Sequence, residues 1–188
     1  MEAATRSIGE GALAESLHAM SEAAITVRRA APQDTAALGR LGALLMSVHY
    51  AYDAARFIAP GDGAEALYGG FLASQMDSGD AIVLVAEQTD VVLGYVYAAL
   101  EGNDWLALRG PAGVIHDLIV DPTRRSAGVG RMLLKAALDA LDELGAPRFV
   151  LFTATQNAAA QRLFAAAGFR ATMIEMTRER DAPDAEKP

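Results

Sequence analysis

The feature that most constrains this chain is a strand, a glycine-bearing loop and a helix in immediate succession over residues 114–144. Residues 114–120 are rich in β-branched side chains and end at Asp121-Pro122, where proline cannot donate to a ladder. The segment Thr123-Arg124-Arg125-Ser126-Ala127-Gly128 is short, polar and basic. Beyond it Met132, Leu133, Ala136, Ala137, Ala140, Leu141 and Leu144 recur at helical spacing. A helix opening from such a loop leaves its first N–H groups unpaired and carries partial positive charge there. Gly128 and Gly130 remove Cβ atoms where a ligand must come close to the backbone, and Arg124, Arg125 and Arg131 add charge. The sum is a site for a phosphate or pyrophosphate; the alternative is a tight turn with solvated arginines.

Two common phosphate loops do not fit. The dinucleotide fingerprint G-x-G-x-x-G needs a third glycine where Leu133 stands. The Walker pattern needs Gly-Lys-Ser/Thr, which this stretch lacks. What stands here is Arg125-x-x-Gly128-x-Gly130 after a strand ending Val120-Asp121-Pro122. This resembles the coenzyme A pyrophosphate loop of the GNAT N-acetyltransferase superfamily, whose pattern is Gln/Arg-x-x-Gly-x-Gly/Ala.

Composition narrows the field by exclusion. A chain of 188 residues with 52% hydrophobic residues suits one globular domain. A net charge of −8 argues against a general nucleic-acid binder. The same acidity favours a cationic substrate, such as an amine or a basic peptide, or serves solubility alone. With no cysteine there is no disulfide, thiolate nucleophile or cysteine metal site, and no metal is expected. No run of about 18 apolar residues predicts a membrane span, so no membrane partner is expected. The N-terminus lacks the basic and apolar regions of a secretory signal, so the expected location is cytoplasmic.

Taken in order, residues 1–24 read as a mobile extension with a nascent helix at 13–20. Residues 25–29 read as a first strand, and Pro32 fits a first helical position with Asp34 in the first turn. Leu38, Leu41, Leu45 and Val48 give that helix an apolar stripe. His49, Tyr50, Tyr52 and Asp53 follow at its end, either lining a substrate pocket or packing tyrosines on the core with their hydroxyls wet. A second helix is predicted at 64–76, and strands at 81–87 and 91–100 form a hairpin through Gln88-Thr89-Asp90. Residues 148–153 read as a fifth strand, Asn157 as the N-cap of a short helix, and Gly168 as its stop. A last strand is expected at 171–177 and a disordered tail at 179–188.

That order is similar to the GNAT fold over residues 25–178. Val92-Leu93-Gly94 matches the family's hairpin strand. Asn157-x-x-Ala160-x-x-Leu163-Phe164-x-x-x-Gly168-Phe169 matches its Asn-x-x-Ala-x-x-Leu-Tyr-x-x-x-Gly-Phe segment. The resemblance implies an α/β (α+β) protein, with a mixed, mostly antiparallel sheet of about six to seven strands flanked by about four helices. It implies an acetyl-coenzyme A-dependent N-acetyltransferase that passes acetyl to a primary amine, on a small molecule or on a protein or peptide, and acts as a homodimer. A non-catalytic acyl-coenzyme A sensor or interaction module is the alternative from another class. A nucleotide-binding regulatory domain is a remote third.

The resemblance also assigns residues. It places the pantetheine arm beside Leu118, Ile119 and Val120, and the pyrophosphate on Arg125, Ser126, Ala127, Gly128, Val129, Gly130 and Arg131. Asn157 and Phe164 complete the coenzyme side. A backbone N–H near Leu118 or Ile119 would polarise the thioester. The family often has Glu, and in some members His, where His116 stands, which makes His116 the expected base; its intrinsic pKa suits proton transfer near neutrality. The alternative is a histidine satisfied by hydrogen bonds at a strand edge. Asp117 falls on the opposite face of a regular strand, unless a bulge intervenes. The family usually has Tyr at Phe164, where the hydroxyl protonates the departing thiolate, so the acid must be a water or another tyrosine such as Tyr50 or Tyr52. His49, Tyr50, Tyr52 and Trp105 are the acceptor-side candidates.

Overall fold

The computed structural model describes residues 24–124 and 128–180. β1 (Thr26–Arg29) leads through a short 3-10 turn opened by Pro32 into α1 (Thr35–Tyr52). α2 (Ala64–Gln75) follows, and then the hairpin of β2 (Ala81–Gln88) and β3 (Val91–Glu101). The hairpin turns on Thr89 and Asp90, both left-handed with φ of 50° and 60°. That is the two-residue turn whose twist matches the twist of its strands. β4 (Ala112–Val120), α3 (Val129–Glu143), β5 (Phe149–Leu151) and α4 (Ala158–Ala166) complete the described elements.

The strands form one sheet in the order β1-β2-β3-β4-β5. The first three pairings are antiparallel and β4–β5 is parallel, as the helical crossover through α3 requires. Each helix buries one stripe. α3 sets Val129, Leu133, Leu134, Ala137 and Leu141 against Ile82, Leu84, Val96, Ala98 and Ile115. α1 and α2 set Leu38, Leu41 and Leu72 against Val83, Val85, Tyr95 and Ile119 on the other face. Each such fully buried aliphatic side chain contributes about 1.5–3 kcal/mol. α1 and α2 lie close because small residues face each other. A Cβ on Gly42 would fall 2.1 Å from the ring of Tyr68, so glycine there is what seats that ring.

Three expectations are corrected. The sheet has five strands among the described residues, not six to seven. Residues 171–177 carry the composition of a strand but join no ladder. Met173, Ile174 and Met176 are 77%, 83% and 89% exposed, and Glu175 instead pairs with Arg56. A strand needs a paired neighbour, and this segment pairs with none of the described strands. The fifth strand is also shorter than 148–153, since its ladder covers only Phe149–Leu151. The helix expected at 13–20, the rest of residues 1–23, and residues 181–188 lie outside the described residues. Among the described residues no helix is long and apolar enough to cross a membrane.

Candidate active site

The site begins where β4 and β5 part. Their ladder runs from Gly113–Phe149 to Ile115–Leu151 and stops, while β4 continues to Val120. A cavity of about 290 Å³ opens in the gap. Leu118, Ile119 and Val120 line it from β4, Gly130 from α3, and Asn157, Leu163 and Phe164 from α4 and its cap. His49 and Tyr52, at the end of α1, close it opposite, with His116 between the two sides. Tyr50 and Trp105 do not line it. Trp105 is 79% exposed on the β3–β4 loop, and Tyr50 is exposed near the end of α1.

α3 opens directly after Gly128. Gly128 has a φ of +77°, which glycine adopts freely, and a Cβ built there would meet nothing within 4 Å. Val129 and Gly130 then form the first turn of α3, where helix amides lack intrahelical partners. Asp121 fixes the preceding turn, its carboxylate accepting from the Thr123 amide and hydroxyl at 3.0 and 2.7 Å. Those contacts hold the Asp121 carboxyl below the usual range. Arg131 is exposed in the first turn. Arg125, Ser126 and Ala127 lie outside the described residues. Asn157 caps α4 by accepting from the Ala160 amide at 3.1 Å.

β4 bulges at His116. Tyr97 pairs with Asp117 and Ala98 with Ile115, so His116 has no counterpart on β3. The extra residue resets the alternation of side chains. Asp117 therefore shares a face with His116, where regular alternation would oppose them. His116 stacks on Tyr97, ring centroids 5.0 Å apart, and its Nε2 lies 2.9 Å from Oε1 of Glu101. The other oxygen of Glu101 takes Arg109 Nη2 at 2.6 Å.

Asp117 lies beneath, 8% exposed. It accepts from the hydroxyls of Tyr68 at 2.7 Å and Tyr95 at 2.9 Å. Burial pushes its carboxyl above the usual range, although both donors and the nearby His116 and His49 pull the other way. Burial, with the Asp117 charge second, drives both phenols well above their ordinary value, so they remain donors. On the facing helix, His49 donates through Nδ1 to the Leu45 carbonyl at 2.9 Å. Its ring rests on Phe57, with centroids 4.9 Å apart. Phe164 is buried edge-on to Phe169 and offers no hydroxyl.

Sequence reading missed Glu101, Tyr68, Tyr95 and Tyr97. A signal for two of them existed. Tyr95 and Tyr97 stand two apart on a strand, hence on one face, and an aspartate inside an apolar strand requires donors. Glu101 and Tyr68 reach the site only through tertiary structure.

The sequence profile of the Acetyltransferase (GNAT) family matches residues 48–169. The mycothiol acetyltransferase of Thermobispora bispora is 32% identical over 96 residues, covering 49% of this chain and 31% of that protein. That of Clavibacter michiganensis is also 32% identical over 96 residues, covering 51% and 29%. The chain thus spans about a third of the length of these relatives. Among solved structures, a mutant of the BH1408 protein from Bacillus halodurans superposes with a TM-score of 0.71 at 20% identity, covering 82% of this chain and 99% of that one. The PaiA N-acetyltransferase of Thermoplasma acidophilum, solved with coenzyme A, gives 0.66 at 16% identity, covering 81% and 93%. With the family profile running from the end of α1 to the end of α4, the chain belongs to the GNAT family of acetyltransferases.

Proposed function

We propose that this protein transfers an acetyl group from acetyl-coenzyme A to a primary amine, carried by a small molecule or by a peptide. The observation that carries the reading is the cavity at the β4–β5 fork. It joins the free edge of β4, the first turn of α3 and the His116–His49 pair in one space. In this reading the donor's arm runs along Leu118–Val120 with its thioester near His116, and its phosphates go to the start of α3. The substrate amine enters from the side of His49 and Tyr52. As an ammonium with an ordinary pKa of about 10.4 it is not nucleophilic at pH 7, so it first gives up a proton. His116 takes that proton through Nδ1, because Nε2 is engaged with Glu101. The amine nitrogen then bonds to the thioester carbon. A β4 amide near Leu118 or Ile119 stabilises the oxyanion, worth about 3 kcal/mol. As the oxyanion collapses the carbon–sulfur bond breaks. The thiolate is a fair leaving group, with a pKa near 8.5 for an ordinary thiol. Tyr52, on the cavity wall, gives it a proton, and the second proton leaving the acetylated nitrogen restores the Tyr52 hydroxyl.

The second reading, a non-catalytic acyl-coenzyme A-binding module, is favoured by one observation, the phenylalanine at position 164. Thermal unfolding with acetyl-coenzyme A, ATP and NAD, combined with a free-thiol assay over an amine panel, separates the readings. Acetyl-coenzyme A at 100 times its dissociation constant adds about 2.7 kcal/mol, a shift of several degrees. Gly128→Val and Arg125→Ala reduce that shift. Thiol release follows with at least one amine, and His116→Gln slows it at pH 7 with the loss shrinking at higher pH. Binding without thiol release selects the second reading, and no shift with acetyl-coenzyme A overturns both.

A further inference from the structure

Glu101 stands outside the cavity yet holds the one side chain in it best placed to move a proton. Its carboxylate is divided between two cationic or potentially cationic partners: Oε2 accepts from Arg109 at 2.6 Å and Oε1 lies 2.9 Å from His116 Nε2. Arg109 is itself pinned. Its side chain is 12% exposed, its amide donates to the Asp104 carbonyl at 2.9 Å, and its carbonyl accepts from the Asp104 amide at 2.8 Å. The Asp104 carboxylate accepts from the Leu106 and Ala107 amides at 3.0 Å each, so the loop that carries Arg109 is tied at its base. The His116 ring is clamped against Tyr97 at an interplanar angle of 24°. The ring therefore has one face on a phenol and one nitrogen beside a carboxylate, and the residue lines the cavity.

We infer that Glu101 is a positioning residue for His116, fixing the tautomer that protonates Nε2 and leaves Nδ1 as the basic atom, and stabilising the imidazolium that forms when Nδ1 takes a proton. The role rests on the acetyl-transfer reading above, because only a substrate that must lose a proton gives it a use. It follows from charge and geometry. A carboxylate behind an imidazole selects the donor nitrogen and offsets positive charge on the ring. Other titratable groups face His116 as well. From β3 there are Tyr97 and Glu101; from β4, Asp117, whose carboxylate interacts with the ring; and from α1, His49 and Tyr52 across the cavity. Of these, Glu101 brings a carboxylate oxygen within 2.9 Å of a ring nitrogen, and it ties His116 to Arg109.

Two variants of the full chain test this with opposite signs. Glu101→Gln removes the negative charge, and Arg109→Gln leaves that charge uncompensated. Imidazole ¹⁵N spectra, assigned through His116→Gln, report tautomer and titration midpoint without reference to turnover. In the wild type the neutral ring carries its hydrogen on Nε2. In Glu101→Gln the His116 midpoint falls, and in Arg109→Gln it rises. The acid limb of kcat/KM follows the same shifts, and kcat of Glu101→Gln at pH 7 falls roughly tenfold with KM for acetyl-coenzyme A unchanged. Coincident titrations in wild type and Glu101→Gln overturn the inference. So do shifts of one sign in both variants, which is what general loosening of the loop produces. Opposite shifts in a protein that releases no thiol keep the Glu101–His116 coupling and reject the acetyl-transfer reading instead.

Discussion

Phe164 is the residue at which this chain departs from the pattern it otherwise follows, and its surroundings show what the departure requires. Buried against Phe169, it contributes surface to the cavity and no proton. Tyr52 is the tyrosine that lines the same cavity. Tyr68 and Tyr95 are committed as donors to Asp117, and Tyr97 is covered by His116 and donates to Gln75. Tyr52→Phe therefore lowers turnover roughly tenfold, a modest general-acid effect because the thiolate leaves readily. Adding Phe164→Tyr to that variant restores most of the loss, and steady-state thiol release measures both. If Tyr52→Phe turns over like the wild type, water supplies the proton. At this scale the sequence was informative where chemistry is local. Asn157 as a cap and glycine at 128 follow from the backbone each position requires. Glu101 was not legible, since its contact with His116 spans a loop of unpredictable path.

The elements owe their placement to patterns that period-2 and period-3.6 reading detects, and their errors to facts such reading lacks. Helices α1 to α4 and the β2–β3 hairpin sit close to where apolar spacing puts them. Residues 171–177 fail as a strand because alternation reports a face, not a partner. The bulge at His116 is hidden for a similar reason: one extra residue shows only against the opposing strand. The approach of α1 to α2 is likewise a property of the pair. Gly42 admits the Tyr68 ring, and that ring delivers a hydroxyl to Asp117. In Gly42→Ala the overpacking of about 1–3 kcal/mol exceeds the ~1 kcal/mol that alanine gains over glycine in a helix. The urea midpoint therefore falls. A midpoint at or above the wild-type value would show that Tyr68 moves aside freely.

For the whole molecule, stability against acid depends on how the first strand is fastened. Arg28 binds Asp34 through both guanidinium nitrogens, at 2.7 and 3.0 Å, and also pairs with Glu87. Asp34 is 5% exposed, and its bond to Arg28 is the first cause that holds its carboxyl below the usual range. A carboxyl depressed in the folded state stabilises the fold above the pH at which the unfolded aspartate ionises, near 4. That contribution is lost as pH falls through the lower folded value. Arg28 is a third exposed, so solvent screens part of the effect. Arg28→Gln costs about 1–2 kcal/mol at pH 7. The gap between the two unfolding curves closes below pH 4, and a gap unchanged down to pH 2 would assign the cost to packing.

The bulge has a consequence for how such a protein changes over generations. His116 is a supernumerary residue: Ile115 and Asp117 already occupy successive places on the β3 ladder and face opposite sides of the sheet. Excising position 116 would leave a regular strand with every downstream side chain on its present side. The chemistry at this position is thus an insertion into a strand complete without it. Its side chain carries none of the inheritance of the core, and exchange there alters reactivity while the architecture persists.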